Sequence, residues 1–275
     1  MEHTATQEKH PEWAWQWARY EDDAAFLFRD WILPNRLEDF RGKRVLDAGC
    51  GPGHHIRLVA PFAAHVTGLD LNTAALARER TADLANVTIE EGDIATWRAA
   101  EPFDVVYCVG VIHHTDDPDA TFENLRRMCR PGGRLVIWCY SEEGNWMARR
   151  LVEPLRRRLL EGSGRASVER LSAVLTALLY APVHTVYRLP LRSLPYHEYF
   201  ANFRRLGFRR NMLNVFDKLN APQTDFISRA RVERWFASGF EDVSITPYAG
   251  VSWRGSGSLR RICTQARVSR NPIRC

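Results

Sequence analysis

The chain has 275 residues, enough for one large α/β domain whose folding removes roughly 75% of the unfolded chain's surface from water. A composition of 45% hydrophobic and 26% charged residues is ordinary for a globular protein and excludes a fibrous or mostly disordered chain. The net charge of +5 hides an asymmetry: residues 1–145 hold 15 Lys and Arg against 24 Asp and Glu, whereas residues 146–275 hold 23 against 9.

No uninterrupted apolar run reaches the ~18 residues of a membrane span. The N-terminus has no basic stretch followed by an apolar one, so a secretory signal is not expected and a cytoplasmic location is. The six cysteines are scattered without a C-x-x-C pair. They read as reduced thiols, and neither a disulfide framework nor a metal site is expected. The basic half suits an acidic substrate, an anionic membrane surface or nucleic acid, or is simply an arginine-rich, solvated helical surface, the reading that fits most of the individual arginines.

The N-terminal stretch carries Trp13, Trp15, Trp17, Tyr20, Phe26, Phe28 and Trp31. On a helix Trp13 and Trp17 share a face. This segment reads as a lid over a site, with Trp17 and Tyr20 as candidate substrate contacts, or as a docking helix that buries its rings. Short apolar runs then predict strands at 44–46, 65–69, 86–90, 103–108 and 135–140. Helices are predicted between them at 55–61, 73–84 and 118–129, the last closed by a Pro131-Gly132-Gly133 turn. Strands alternating with helices imply a parallel sheet covered on both faces, a doubly wound α/β fold.

From 145 the rhythm changes. Met147, Leu151, Leu155 and Leu159 recur every four residues among Arg149, Arg150, Arg156, Arg157 and Arg158, which predicts a basic amphipathic helix kinked by Pro154. A second helix is predicted at 168–180, followed by an aromatic and proline-rich passage. A helix at 231–238 and strands at 243–247 and 259–266 return to the earlier pattern. The expected organisation is an N-terminal helical lid over 1–40, an α/β core over 41–144 and 223–275, and a helical, substrate-covering insertion over 145–222.

The most informative stretch runs from Val45 to Gly53, VLDAGCGPG. A strand enters a glycine-rich turn that opens a helix, where backbone must bend sharply and approach a ligand. His54 stands where a dinucleotide-binding loop has its third glycine, and no phosphate-loop motif is present. Asp47 at the strand's end suits a ligand ammonium, which points to an adenosine cofactor bearing an amine. Asp70 ends the second strand and suits a ribose diol. Asp93 follows the third and suits an adenine amine, with Ile94 and Trp97 to flank the ring. Asp70 and Asp93 can equally cap the next helix or turn. The three acids stand one βα unit apart, however, and so face one rim of the sheet.

The ordered set VLDAGCGPG, VTGLDLN, EGDI, FDVVYCVGVIHHTDDP and LRRMCRPGGRLVI resembles the class I S-adenosylmethionine-dependent methyltransferases over residues 45–140, and more loosely over 231–266. The resemblance implies a Rossmann-like, mostly parallel seven-stranded sheet of order 3-2-1-4-5-7-6 with the seventh strand antiparallel. It also implies S-adenosyl-L-methionine as cofactor, bound around Asp47, Gly49, Gly51, Gly53, Asp70, Leu71, Asp93, Ile94 and Val109. Trp235, Gly239-Phe240 and residues 251–255 look like a subgroup of bacterial enzymes acting on small or envelope-associated metabolites.

The activity so implied is methylation of a small, partly apolar metabolite, on oxygen first, with carbon and nitrogen open. Its alternatives are methylation of RNA or protein through the basic half, and non-catalytic cofactor binding. Nucleic acid is disfavoured because the arginines lie on apolar-faced helices, which better suit a covered pocket or an anionic lipid surface. His113 and His114 follow the fourth strand as candidate bases, or merely order that loop. Tyr196, His197 and Tyr199 form a polar aromatic cluster that can line the acceptor pocket or simply pack.

Overall fold

A computed structural model describes residues 15–16, 25–160, 163–220 and 223–261. Seven strands form one sheet: β1 (Arg44–Ala48), β2 (His65–Asp70), β3 (Val87–Glu91), β4 (Phe103–Val109), β5 (Cys129–Tyr140), β6 (Phe240–Tyr248) and β7 (Ser252–Leu259). Their order is β3-β2-β1-β4-β5-β7-β6, as the resemblance implied. β7 runs antiparallel to both β5 and β6, and the remaining pairs are parallel.

The inner strands read as nearly continuous apolar runs because both faces are covered. On one face Val45, Val66, Val105, Tyr107 and Val109 pack with Phe28 of α1 (Ala25–Trp31), Ile56 of α2 (His54–Val59) and Ala77 of α3 (Ala74–Arg80). On the other, Leu46, Ala48, Val106 and Cys108 pack beneath α4 (Pro118–Met128) and the later α-helix Arg229–Ala237. Alternation within β1 and β4 thus sets which side chain meets which helix layer. The start of α4 is fixed locally: Asp117 accepts hydrogen bonds from Asp119 N (2.9 Å) and Ala120 N (3.1 Å), and Pro118 stands in the first turn.

Between β5 and the last two strands the chain is helical. The kink expected at Pro154 takes a definite form: Ala148–Val152 winds as a π-helix before α5 (Glu153–Leu160). Proline has no N–H to close an α-turn onto residue 150, so the helix widens just ahead of it. Then come α6 (Arg165–His184), α7 (His197–Phe203), α8 (Phe208–Asn220) and α9, the Arg229–Ala237 helix that covers the sheet. α6 and α8 pack through Val168, Leu171 and Leu175 against Leu213, Phe216 and Leu219.

The strand expected at 259–266 instead lies at Ser252–Leu259, and β6 begins at Phe240. Residues 262–266 fall outside the described residues. SWRGSGSL has few β-branched residues and so carries little strand signal. Its glycines answer a packing need: a Cβ on Gly255 would stand 2.9 Å from the Phe236 ring, and one on Gly257 3.1 Å from it.

Candidate active site

The ends of β1–β5 open on a cavity of about 260 Å³. On one side it is lined by Gly49, Gly51, Asp70, Leu71, Asp93, Ile94 and Val109, which the sequence reading assigned to a cofactor. Gly49, Gly51 and Gly53 all have positive φ, between 54° and 86°, a region costly for other residues. A Cβ on Gly49 would also run into Val111 at 2.5 Å. Gly53 does not line the cavity; it starts α2 and packs near Thr81.

Asp70 takes the capping role and also lines the cavity. Its Oδ1 accepts from Asn72 N and Thr73 N at 2.9 Å, and its Oδ2 accepts from Gly51 N at 2.9 Å. The carboxylate therefore ties the glycine loop to the end of β2 while still facing the cavity. Asp93 accepts from Ala95 N at 2.9 Å and lines the same wall. Trp97, expected to flank a ring there, instead packs against the core behind Gly92.

Asp47, expected to meet a ligand ammonium directly or through water, is set back from the cavity. It is 1% exposed and does not line the cavity. Its Oδ2 accepts from the Tyr107 hydroxyl at 2.8 Å, while Oδ1 has no protein partner. Burial pushes its pKa up to about 8; the Tyr107 hydrogen bond opposes this rise and the nearby Asp70 charge adds to it.

The two histidines separate. His113 is 1% exposed, packed 4.3 Å from the Tyr140 ring and 6.2 Å from Trp138, with neither ring nitrogen hydrogen-bonded. Burial, then the neighbouring His114 and Lys218, hold its pKa well below the usual imidazole range. It does not line the cavity, so its expected role as a base is replaced by a packing one. His114 does line the cavity. Its Nδ1 lies 2.8 Å from the Gln223 carbonyl oxygen, which can only accept, so a neutral ring carries its proton there and its basic nitrogen is Nε2. The loop is held from the far side by the 223–225 segment, through Gln223 and through Asp225 N donating to His113 O at 2.8 Å.

The opposite wall comes from a helix that the sequence reading left unassigned. Arg210, Leu213, Asn214 and Asp217 of α8 recur at three- and four-residue spacing and line the cavity together. Asp217 Oδ2 accepts from the Tyr140 hydroxyl at 3.2 Å, and its Oδ1 accepts from Gln16 Nε2 at 3.0 Å. Lys218 sits 4.9 Å above the Tyr140 ring and 5.4 Å above Tyr199; its pKa is raised, the Tyr140, Tyr199 and Asp217 interactions together outweighing the largest single effect, desolvation. Tyr199 thus touches the site through Lys218, and neither it, Tyr196 nor His197 lines the cavity. His197 instead meets Leu189 O at 3.1 Å.

From the N-terminal side Gln16 and Trp31 reach the cavity, the Trp31 ring tilted against Trp138 at 4.6 Å. Trp15 packs 5.4 Å from Phe216, which anchors this side on α8. Trp17 and Tyr20 lie outside the described residues. Several cavity-lining side chains hold buried polar atoms without a protein partner: Gln16 Oε1, Trp31 Nε1, Asn72 Oδ1, Thr73 Oγ1 and Trp138 Nε1. Buried polar groups are normally paired, so this cluster fits a polar ligand. Among the described residues no three His, Cys, Asp or Glu side chains are grouped to hold a metal.

A protein family described as a methyltransferase domain matches residues 46–137, the span that contains the glycine loop and the strand-end acids. Over that span the chain carries a methyltransferase domain. Ubiquinone biosynthesis O-methyltransferases are similar to it: that of Aromatoleum aromaticum is 38% identical over 116 residues, 39% of this chain and 47% of the relative. That of Paraburkholderia xenovorans is 41% identical over 100 residues, covering 34% and 42% respectively. The matches span less than half the length of these relatives. Among solved structures, the N-methyltransferase NodS from Bradyrhizobium japonicum, in complex with S-adenosyl-l-homocysteine, aligns over 92% of this chain and 99% of its own, with TM-score 0.53 and 14% identity. A Haloferax volcanii methyltransferase in complex with the Trm112 activator aligns over 94% and 100%, with TM-score 0.55 and 15% identity. These likenesses are of fold. The α8 wall lies outside the span matched as the methyltransferase domain.

Proposed function

We propose that the protein transfers the methyl group of S-adenosylmethionine to a small, partly apolar acceptor, on oxygen first. The observation that carries this reading is the cavity between the acidic rim of the methyltransferase domain and the α8 wall. When bound, S-adenosylmethionine supplies an electrophilic methyl carbon on a sulfonium. Asp70 would hold its ribose diol, Asp93 with Ile94 its adenine, and Asp47 its ammonium from behind the glycine loop. The unpartnered Asp47 Oδ1 and the positive-φ glycines support that fit.

Methyl transfer is an in-line displacement, so the chain's main tasks are to align the acceptor and exclude water. Trp31, Trp138 and Tyr140 line the cavity with aromatic surface, and Leu213 adds an apolar one from α8. An acceptor hydroxyl must lose its proton. Asp217 is held by Tyr140 and Gln16 while facing the cavity, so it is positioned to take that proton, with His114 as the competing base. The names of the relatives support oxygen as the acceptor atom. A carbon or nitrogen acceptor would place less demand on Asp217.

In this reading the helices between β5 and α9 cover the substrate, and Gln16 and Trp31 close the site from the N-terminal side. The free, buried Cys50, Cys108, Cys129 and Cys139 suit a cytoplasmic setting. The test is formation of S-adenosylhomocysteine against separate pools of small metabolites, RNA and protein. Turnover confined to the small-metabolite pool is expected. Turnover confined to RNA or protein would overturn the acceptor class, and failure to bind S-adenosylhomocysteine by calorimetry would overturn the cofactor.

A further inference from the structure

The helical region after β5 leaves an apolar surface uncovered. Among the described residues twelve large hydrophobic side chains are exposed, and ten of them fall between Trp146 and Phe208. α6 shows why. Its inner side packs on α8, whereas Val174 and Leu178 on the outer side are 55% and 67% exposed. Ala177 and Ala181 are exposed beside them, and no charged residue occurs between Arg170 and His184. By length and composition α6 is able to cross a membrane. Val168, Ser172, Thr176 and Val183 are nevertheless buried within the fold, so lipid can reach only one side of the helix.

Charge indicates what covers that side. Residues 145–222 hold 14 Lys and Arg against five Asp and Glu. Exposed arginines flank α6 along the chain, Arg170 in its N-terminal half on the side of Val174 and Leu178, and Arg188 and Arg192 a few residues beyond its C-terminal end. An apolar strip flanked along the chain by cations matches a helix lying in the plane of a membrane surface, its side chains at the acyl boundary and its arginines at phosphates. We propose that α6 docks flat on an anionic lipid bilayer. Docking stands on the exposed face and its charge alone. Its link to the reaction rests on the proposed function: α8 packs Phe216 and Leu219 toward α6 and lines the cavity with Asn214 and Asp217, so the docked face lies one helix from the acceptor wall. That placement suits an acceptor that partitions into lipid.

The experiment is co-sedimentation of the full chain with phosphatidylcholine vesicles, with and without roughly one-third phosphatidylglycerol to supply anionic charge. Binding to the anionic vesicles, weak binding to the neutral ones and release at high salt are expected. Val174→Glu with Leu178→Glu, both exposed, should lower binding at least about tenfold, since each places a charge where apolar contact is needed. Arg170→Glu, Arg188→Glu and Arg192→Glu should each lower it about fivefold or more, the loss expected for one cation near an anionic surface. S-adenosylhomocysteine affinity in these variants should match wild type, which separates loss of docking from loss of the cofactor site. Equal binding to both vesicle types, or unchanged binding by the double variant, would overturn the proposal. So would a lipid-indifferent dimer in light scattering that the double variant splits, because the face would then join two copies of this chain.

Discussion

The two walls of the cavity are built by different means. The rim we assign to the cofactor is made of backbone and of acids at strand ends: Gly49 and Gly51 in the left-handed region, Asp70 tied to three N–H groups, Asp93 one βα unit further on. The α8 wall is a helical stripe whose side chains reach the cavity only because the helix is packed there by α6 and the N-terminal segment. The rim is therefore prescribed by local sequence, and the α8 wall, the proposed acceptor side, by tertiary placement. A change in the rim should alter cofactor affinity, and a change in α8 should alter turnover with cofactor affinity intact.

The sharpest separation comes from Asp217. Asp217→Asn keeps a side chain within reach of Tyr140 and Gln16 but cannot accept a proton. Turnover should fall about 100-fold, the low end for removal of a general base, while S-adenosylhomocysteine affinity by calorimetry stays within about twofold. Normal turnover in Asp217→Asn, with a loss in His114→Asn, would move the base to the rim. Asp70→Ala should do the opposite. It removes a charged acceptor for ligand and loop alike, so cofactor affinity should drop roughly tenfold to a hundredfold, the ~1.5–3 kcal/mol of a charge-assisted hydrogen bond. Unchanged affinity in a folded Asp70→Ala would break the assignment of this wall to the cofactor.

The same contrast explains what could be read before the structure. The parallel βα pattern, the glycine loop and the positions of Asp70 and Asp93 follow from spacing, because each βα unit returns the chain to the same edge, whereas the strand order came with the family resemblance. Asp47 was found by its motif, but its burial behind the loop was not legible, since alternation in β1 turns it toward Tyr107 of β4. Tyr196 and His197 drew attention as polar aromatics, yet α7 does not reach the cavity. Arg210, Leu213, Asn214 and Asp217 carried a usable signal, a mixed stripe at helical spacing on a helix whose other side is Phe216 and Leu219. Nothing in sequence said which of α7 and α8 would face the sheet. β7 was misplaced because its glycines obey the Phe236 ring and not strand propensity.

Asp47 sharpens the comparison through pH. Its carboxyl, pushed up to about 8, is mostly protonated at neutral pH without ligand. A ligand ammonium favours the ionised form, so cofactor binding should release a proton, and affinity should rise up to about tenfold per pH unit until about pH 8. Calorimetry in buffers of different ionisation enthalpy measures that proton, and Asp47→Asn should abolish it. The stability sign is opposite. Between the ordinary 3.8 and about 8 the folded state holds a proton that the unfolded chain has lost, so rising pH costs stability across that window. The melting temperature of wild type should therefore fall relative to Asp47→Asn as pH is raised from 5 to 8. Parallel curves would show that Asp47 is ionised in the free protein.

The smallest expected effect is at His197. Its Nε2 contacts Leu189 O at 3.1 Å on the outer part of the helical region, away from the cavity-lining residues. An exposed hydrogen bond of this kind contributes about 0.5–1.5 kcal/mol, because water replaces the lost partner. His197→Ala should then lower the melting temperature by a few degrees at most, with turnover and cofactor affinity within about twofold of wild type. Tyr199→Phe keeps the ring beneath Lys218 and should be similarly mild. By contrast Tyr140→Phe removes the hydroxyl that donates to Asp217, so it should reduce turnover more than either. If His197→Ala lost turnover tenfold at an unchanged melting temperature, the acceptor would have to extend past α8 to α7. The distinction between a locally written rim and a single-helix acceptor wall would then fail.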